Sequence, residues 1–170
     1  MNAIVNVDEN WGIGLEGDQP FYIPGDLRFF RDKTRGKVVV MGRSTLNALP
    51  NSAPLKERTN IVLSRQEDFE VQGAVHCKNL DELFEAIKDY DTNDVFIIGG
   101  AKLYGDLLRH CTYVYVTKIF STAPCDRFFP NLDDSPDWVL VEASEIKKFN
   151  NLKYQFCTYA NRRGGALYGN

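Results

Sequence analysis

Three apolar runs end in glycine, hydroxyl or basic residues, and each such end can bring a ligand close to the backbone. The first is Ile97-Ile98-Gly99-Gly100-Ala101-Lys102-Leu103-Tyr104. Paired glycines let a ligand approach closely because no Cβ stands in the way. A helix beginning there offers unpaired N–H groups and a positive dipole end, which suit a pyrophosphate. A tight strand–helix turn that needs glycine sterically explains the same residues. The segment is neither GxGxxG nor a Walker A loop. Val40-Met41-Gly42-Arg43-Ser44-Thr45 repeats the pattern with an arginine and two hydroxyls at the turn, which suits a second phosphate contact. Taken alone, Arg43 is equally a solvated surface arginine. The third run is Ile61-Val62-Leu63-Ser64-Arg65. NAD-binding α/β enzymes usually place an acidic residue near such a position to meet the adenosine ribose. Ser64 and Arg65 stand here instead. With Arg43 and Lys102 they would surround a 2′-phosphate, favouring NADP over NAD, provided these strand ends converge.

A fourth segment, Gly12-Ile13-Gly14 through Pro20-Phe21-Tyr22-Ile23-Pro24-Gly25-Asp26-Leu27, reads as a long structured loop leading into a helix. Asp26 falls in the first helical turn, and its i+4 partner is Phe30. A carboxylate at the edge of an apolar face can be desolvated and can grip a polar heterocycle. Helix capping, or a contact with the helix dipole, is the plainer role for a lone aspartate.

The elements that must position these residues alternate between strand and helix. Strands are expected at Ala3–Val7, Lys37–Met41, Asn60–Leu63, Ala74–Cys77, Val95–Ile98, Tyr113–Lys118, Trp138–Ala143 and Tyr154–Tyr159. Val38–Met41 and Val95–Ile98 are continuously apolar, as strands covered on both faces are. Tyr154–Tyr159 alternates, as an antiparallel strand near the sheet edge does. Helices are expected at Asp26–Lys33, Ser44–Ala48, Leu80–Tyr90 (with Asn79 as N-cap) and Ala101–Arg109. This is an α/β fold: a single domain whose central, mostly parallel eight-stranded sheet is flanked by helices and carries an antiparallel C-terminal strand. The domain is expected to span residues 1–160, and the glycine-containing segment 161–170 is expected to be a flexible tail.

Composition narrows the function. The 170 residues can bury a core without staples, and the net charge of −3 argues against a nucleic-acid partner. No apolar run approaches a membrane span, and no secretion signal is visible, so a cytoplasmic setting with no membrane partner is expected. Cys77, Cys111, Cys125 and Cys157 form no CxxC pair and read as free, mostly buried thiols. Histidine occurs only at His76 and His110, and there is no HExxH, no paired metal-ligand spacing and no GxSxG elbow. Metal-dependent and serine-hydrolase chemistry are therefore disfavoured.

Taken in order, these segments resemble the dihydrofolate reductase family over nearly the whole chain, to about Tyr159. The resemblance is carried by Gly12-Ile13-Gly14, Pro24-Gly25-Asp26-Leu27 with Phe30, and Val40-Met41-Gly42-Arg43-x-Thr45. It continues in Arg58-x-Asn60-Ile61-Val62-Leu63-Ser64, Ile97-Ile98-Gly99-Gly100-x-x-Leu103-Tyr104, Thr117 at the end of Tyr-Val-Tyr-Val-Thr, and Asp126-x-x-Phe129-Pro130. Each motif is weak alone, whereas their ordered run is specific.

The resemblance implies an NADPH-dependent reduction of dihydrofolate by a monomer open to antifolate inhibitors. Asp26 and Thr117 would hold the pteridine, with Phe21 completing the catalytic set. Ile4, Val5, Asn6, Leu27, Phe30, Leu49, Leu55, Ile98 and Tyr104 would line the folate pocket, and Arg58 would pair with the α-carboxylate of the glutamate tail. Asn6, Ile13, Gly14, Gly42, Arg43, Ser44, Thr45, Leu63, Ser64, Arg65, Gly99, Gly100, Ala101, Lys102, Leu103 and Tyr104 would line NADPH. An adenosine-binding subdomain at about residues 38–104 and a cis Gly99–Gly100 peptide are also implied.

Three positions depart from the family pattern. Phe21 replaces a tryptophan, Gln19 an apolar residue and Asn6 a small alanine. They touch the loop and the water network, so an altered rate or pH dependence is expected. Two other readings stay open. A reductase of riboflavin biosynthesis shares the fold, and a non-catalytic nucleotide-binding descendant would keep the cofactor site alone.

Overall fold

The computed structural model describes residues 1–164. Its first strands are β1 (Asn2–Val7), β2 (Gly12–Gly14), β3 (Val38–Gly42), β4 (Thr59–Leu63), β5 (Ala74–Cys77) and β6 (Val95–Gly99). They are followed by β7 (Tyr113–Ile119), β8 (Arg127–Phe128), β9 (Trp138–Ala143), β10 (Lys147–Phe149) and β11 (Leu152–Asn161). The helices are α1 (Pro24–Thr34), α2 (Arg43–Ala48), α3 (Leu80–Ile87) and α4 (Ala101–Leu107).

The central sheet runs β10-β11-β7-β1-β6-β3-β4-β5, with β9 also paired to β11. β10 and β9 take successive stretches of the same side of β11, at Leu152–Tyr154 and Cys157–Asn161, so they share one edge position. The nine segments therefore fill the eight positions expected. β1, β3, β4, β5, β6 and β7 pair in parallel, while β11 runs antiparallel to β7, β9 and β10.

Alternation along the strands divides the side chains between two faces. One face carries the main core. Ala3, Val5, Val7, Val40, Ile97 and Val116 pack there against Leu83 and Ile87 of α3 and Leu103 and Leu107 of α4. The helix stripes foreseen at Leu80–Tyr90 and Ala101–Arg109 account for this packing. Both α-helices stop short of those limits, however, and a 3-10 turn at Leu108–His110 takes over after α4. Asn79 caps α3 as expected, accepting from the Glu82 N–H at 2.8 Å.

The opposite face carries two smaller apolar clusters instead of one. Val39, Met41 and Val62 pack under Leu46 of α2, with Leu49, Leu55 and Ile98 against them. Ile23, Ile119 and Tyr154 form the other with Phe21 and Phe156, and Phe29 of α1 stacks on Phe156 at 4.3 Å between ring centroids. The gap between the clusters lies over β1, flanked by β6 and β7. A sheet that sends its connections to opposite faces leaves such a crevice at the carboxyl ends of its strands.

The reading of the early loop changes. Gly12–Gly14 is not loop: it pairs with Arg127–Phe128 as a separate two-stranded sheet. Three residues are too few to show a period, so the local pattern could not reveal this strand. Of the expected tail, Asn161 ends β11, the Gly164 N–H donates to the Asn161 carbonyl at 2.9 Å, and Arg163 pairs with Asp137 at 3.3 Å. Residues 165–170 lie outside the described part. Cys77, Cys111 and Cys157 are buried free thiols, as foreseen, and Cys125 is half-buried. Among the described residues no helix is long and apolar enough to cross a membrane.

Candidate active site

Asp26 enters the crevice from the first turn of α1. Pro24 occupies the start of the helix, where its missing N–H costs nothing, and the Asp26 N–H donates to the Ile23 carbonyl at 3.0 Å. A Cβ on Gly25 would run into the Tyr154 hydroxyl, so the backbone of α1 passes close to β11 here. The local sequence gave no sign of this approach.

Both oxygens of the Asp26 carboxylate are held. Thr117 on β7 donates its hydroxyl to Oδ1 at 2.6 Å, and Asn6 on β1 donates its amide to Oδ2 at 2.9 Å. Asn6 and Thr117 are register partners, so their side chains project to the same face. Burial pushes the Asp26 carboxyl above its ordinary value, and the Thr117 and Asn6 donors pull it partway back. The carboxylate at the edge of the apolar face is thus desolvated, and its side-chain bonds go to Thr117 and Asn6.

The walls are apolar. Ile4 is buried on β1, and Ile98 projects from β6 beside Leu49 and Leu55. Leu27 is half exposed on α1, and Phe30 stands one turn beyond Asp26. The Arg58 guanidinium lies 6.0 Å from the Phe30 ring centre. Its Nε donates to the Thr34 hydroxyl at 3.1 Å and its Nη1 to the Lys56 carbonyl at 2.7 Å. Arg58 is therefore fixed at the rim by the end of α1. Phe21 packs into the cluster of Ile23, Ile119 and Tyr154.

Three of the expected site residues belong to the opposite face. Val5 points into the main core, so only its backbone faces the crevice. Tyr104 is buried, with its ring against Phe129 and its hydroxyl donating to the Ile4 carbonyl at 2.7 Å. Leu103 is likewise a core residue.

Beyond Ile98 the ends of three adjacent parallel strands converge, which meets the condition set on them from the sequence. Gly42 is paired with Leu63, and Met41 with Gly99. Gly99 has φ +137°, which strains any other residue, and a Cβ there would meet Thr45 Oγ1 at 3.0 Å, so β6 and the start of α2 lie tightly together. The Gly99–Gly100 peptide is cis. Ser44 and Thr45 open α2, Ala101 opens α4, and neither helix start has a side-chain cap. Backbone donors, glycine surface and hydroxyls therefore meet at one edge, a cradle that fits a dinucleotide pyrophosphate.

The basic residues around this edge are not equivalent. Arg43 lies over Phe69 at 5.2 Å, and His76 holds the Ser64 carbonyl at 2.6 Å while its ring meets Phe69. Phe69 and His76, absent from the sequence expectations, thus support the Arg43–Ser64 corner. Arg65 is exposed beside it. Lys102 is engaged with Asp106 at 3.0 Å, one turn along α4.

The loop before α1 is tied at both ends. Buried Asp8 accepts from the backbone N–H groups of Asn10, Gly12 and Ala123. The Glu16 N–H donates to Asp126 at 3.2 Å, and the Asp126 N–H to the Gly14 carbonyl at 2.8 Å, with Ile13 between on β2. Gln19 reaches the site itself, accepting from Asn6 at 3.4 Å. Among the described residues no cluster of His, Cys, Asp and Glu can hold a metal.

A doubly wound α/β sheet with a glycine-lined phosphate edge and one buried carboxylate in its crevice defines the class: nucleotide-dependent enzymes acting on a polar heterocycle. Comparison with known proteins narrows it. A family model described as dihydrofolate reductase matches residues 1–161. The chain is 33% identical over 171 residues to a dihydrofolate reductase of Bacillus subtilis (strain 168), with 99% of each chain covered. It is 34% identical over 172 residues to the Drosophila melanogaster enzyme of that name, covering 92% of this chain and 94% of that one. A solved structure of dihydrofolate reductase from Enterococcus faecalis, complexed with NADP(H) and RAB-propyl, superposes with a TM-score of 0.84. It is 30% identical and covers 94% of this chain and 95% of that one. The chain belongs to the dihydrofolate reductase family.

Proposed function

We propose that this chain catalyses the NADPH-dependent reduction of 7,8-dihydrofolate to 5,6,7,8-tetrahydrofolate, supporting one-carbon metabolism and thymidylate synthesis. The observation that carries the reading is the placement of a desolvated, doubly hydrogen-bonded carboxylate, Asp26, in the same crevice that leads to the Gly42–Leu63–Gly99 strand ends.

Asp26 binds the 2-amino group and adjacent ring nitrogen of the pteridine, with Thr117 alongside. Ile4, Leu27, Phe30, Leu49, Leu55 and Ile98 enclose its apolar parts. Arg58 takes the α-carboxylate of the glutamate tail, its fork already aimed by Thr34 and Lys56. Gly42, Arg43, Ser44, Thr45, Leu63, Ser64, Arg65 and the Gly99–Leu103 turn hold the cofactor in the segment 38–104, and Ile13 and Gly14 cover its nicotinamide end. When bound, NADPH supplies the hydride that reduces pteridine C6.

N5 must gain a proton. Neither histidine is placed for it: His76 is committed to Ser64, and His110 is buried beside Phe84. Water entering beside Asp26 supplies the proton. Asp26 orients the ring and raises the basicity of N5, and the loop leading to Pro24 excludes bulk solvent. Antifolate inhibitors that mimic the pteridine would compete for Asp26. One chain carries both halves of the site, which supports a monomer, and the net charge of −3 disfavours a nucleic-acid partner.

The test is loss of the nicotinamide absorbance on mixing protein, NADPH and dihydrofolate, beside an Asp26→Asn variant and an NADH control. Loss that needs folate, prefers NADPH and collapses in the variant supports the reading. Tight NADPH binding without turnover by the folded native protein would overturn it.

A further inference from the structure

The amide of Asn6 stands between the Asp26 carboxylate and the loop that precedes α1. Its nitrogen donates to Asp26 Oδ2 at 2.9 Å and lies 3.4 Å from Gln19 Oε1. A primary amide nitrogen carries two hydrogens, so it can make both bonds at once. The two bonds are unequal. The one to the carboxylate is short and charge-assisted, whereas the one to Gln19 is long and exposed. Asp26 therefore sets the orientation of the Asn6 amide, and Asn6 in turn offers its second hydrogen to the loop.

We propose that Asn6 is a positioning residue that aims the Asp26 carboxylate at the pteridine and couples that aim to the seating of the loop through Gln19. The pteridine half rests on the reductase reading; the coupling belongs to the chain without ligand. Protonation of Asp26 at Oδ2 would set a hydroxyl donor against the amide donor. The amide would then turn its oxygen toward Asp26 and its nitrogen away, changing what Gln19 meets. Asp26 is bonded by Asn6 on β1 and Thr117 on β7, Phe30 follows it one turn along its own helix, and Gln19 of the loop meets Asn6. Tyr154 of β11 and the Arg28 guanidinium approach the neighbouring Gly25. Burial raises the Asp26 carboxyl, and the neutral donors Thr117 and Asn6 oppose it, with no charged side chain among the causes.

The test uses the full ligand-free chain in four forms: native, Asn6→Ala, Gln19→Met and the double variant. Gln19→Met keeps the side-chain length on an exposed loop and removes only the acceptor, so the fold is not at risk. Carbon-13 NMR follows the Asp26 carboxyl through its titration, and hydrogen exchange follows the amides of residues 15–22. Asn6→Ala is expected to raise the Asp26 midpoint by about 0.5–1 pH unit, since a donor to the charged form is lost. Above that midpoint it should speed loop exchange by about 3–10-fold, the scale of one hydrogen bond. Gln19→Met should speed the loop similarly and move the midpoint less, and the double variant should match Asn6→Ala alone. With NADPH and dihydrofolate, the pH–rate midpoint should move with the NMR midpoint, and kcat should fall more than KM rises. An unmoved midpoint in Asn6→Ala, or loop effects that multiply in the double variant, overturns the proposal. Coupling found in a chain that cannot turn over dihydrofolate would instead overturn the reductase reading and leave the link between Asn6 and Gln19 standing.

Discussion

Thr117 donates its hydroxyl to Asp26 Oδ1 at 2.6 Å across a sequence separation of 91 residues. The bond joins the end of β7 to the first turn of α1 and fixes one edge of the carboxylate. A donor to the ionised form favours it, so its removal raises a pKa that burial has already pushed up. Thr117→Val is therefore expected to move the low-pH limb of kcat/KM upward and to cost roughly 10-fold in kcat/KM near pH 7. Steady-state profiles across about pH 5–9 check both. An unmoved limb would mean that Thr117 acts on packing alone.

The same burial makes Asp26 a cost to folding. Its folded pKa lies above the unfolded value, so the folded state binds more protons in the interval between the two. Its contribution to stability is present below the unfolded value of about 3.9 and is lost as pH rises through the folded value. Asp26→Asn should lower turnover by on the order of 100-fold or more. It should also melt a few degrees higher than the native protein at pH 7, and the gain should close as pH falls toward 4. A lower melting temperature at pH 7 would show that the bonds from Thr117 and Asn6 outweigh the burial.

Two glycines at the cradle should fail in different ways. A Cβ on Gly99 meets Thr45 Oγ1 at 3.0 Å in a backbone with φ +137°. Gly99→Ala should destabilise the protein by about 1–3 kcal/mol, read in denaturant unfolding. A Cβ on Gly42 meets nothing nearer than Gly99 O and Gly100 N, both at 4.0 Å, and Gly42 has φ −80°. Gly42→Ala should fold almost as stably as the native chain yet bind NADPH more than about 10-fold more weakly, because the methyl fills space kept for the pyrophosphate. Normal NADPH affinity in a Gly42→Ala titration would place the phosphates elsewhere.

Thiol reactivity should follow burial. Cys111 is buried with its thiol pushed up to about 12, and Cys77 and Cys157 are buried with raised values. Cys125 is half-buried, and desolvation followed by the neighbouring Asp8 raises its thiol as well. A disulfide reagent at about pH 8 should modify Cys125 first, more slowly than a free thiol, with its rate still climbing as pH rises. The other three should react only on unfolding. Rapid modification of more than one thiol in the native protein would contradict this packing.

The chemistry-bearing ends of β3, β4 and β6 were legible because each is local: an apolar run followed by a hydroxyl or a base, with glycine between them at the ends of β3 and β6. The same holds for Asp26, whose place in the first turn of α1 follows from Pro24 and Gly25. Residues 12–14 were not legible as strand, since their pairing partner lies beyond residue 120 and three residues carry no period. Nor were Phe69 and His76 legible as supports for Arg43 and Ser64, because a ring contact and a bond to a carbonyl leave no trace in spacing. Lys102 looked equivalent to Arg43 in sequence, yet an aspartate four residues on pairs with its ammonium.

By itself the sequence determined the alternating α/β order, the residues that end each strand and the carboxylate in the first turn of α1, because strand and helix periods and turn chemistry are short-range. Only the tertiary structure decided that the ends of β3, β4 and β6 lie side by side, that Val5 and Tyr104 turn into the core, and that Thr117 and Asn6 each take one oxygen of Asp26. These are questions of register and strand order. They are fixed by which apolar faces are buried together, over separations that no local pattern encodes.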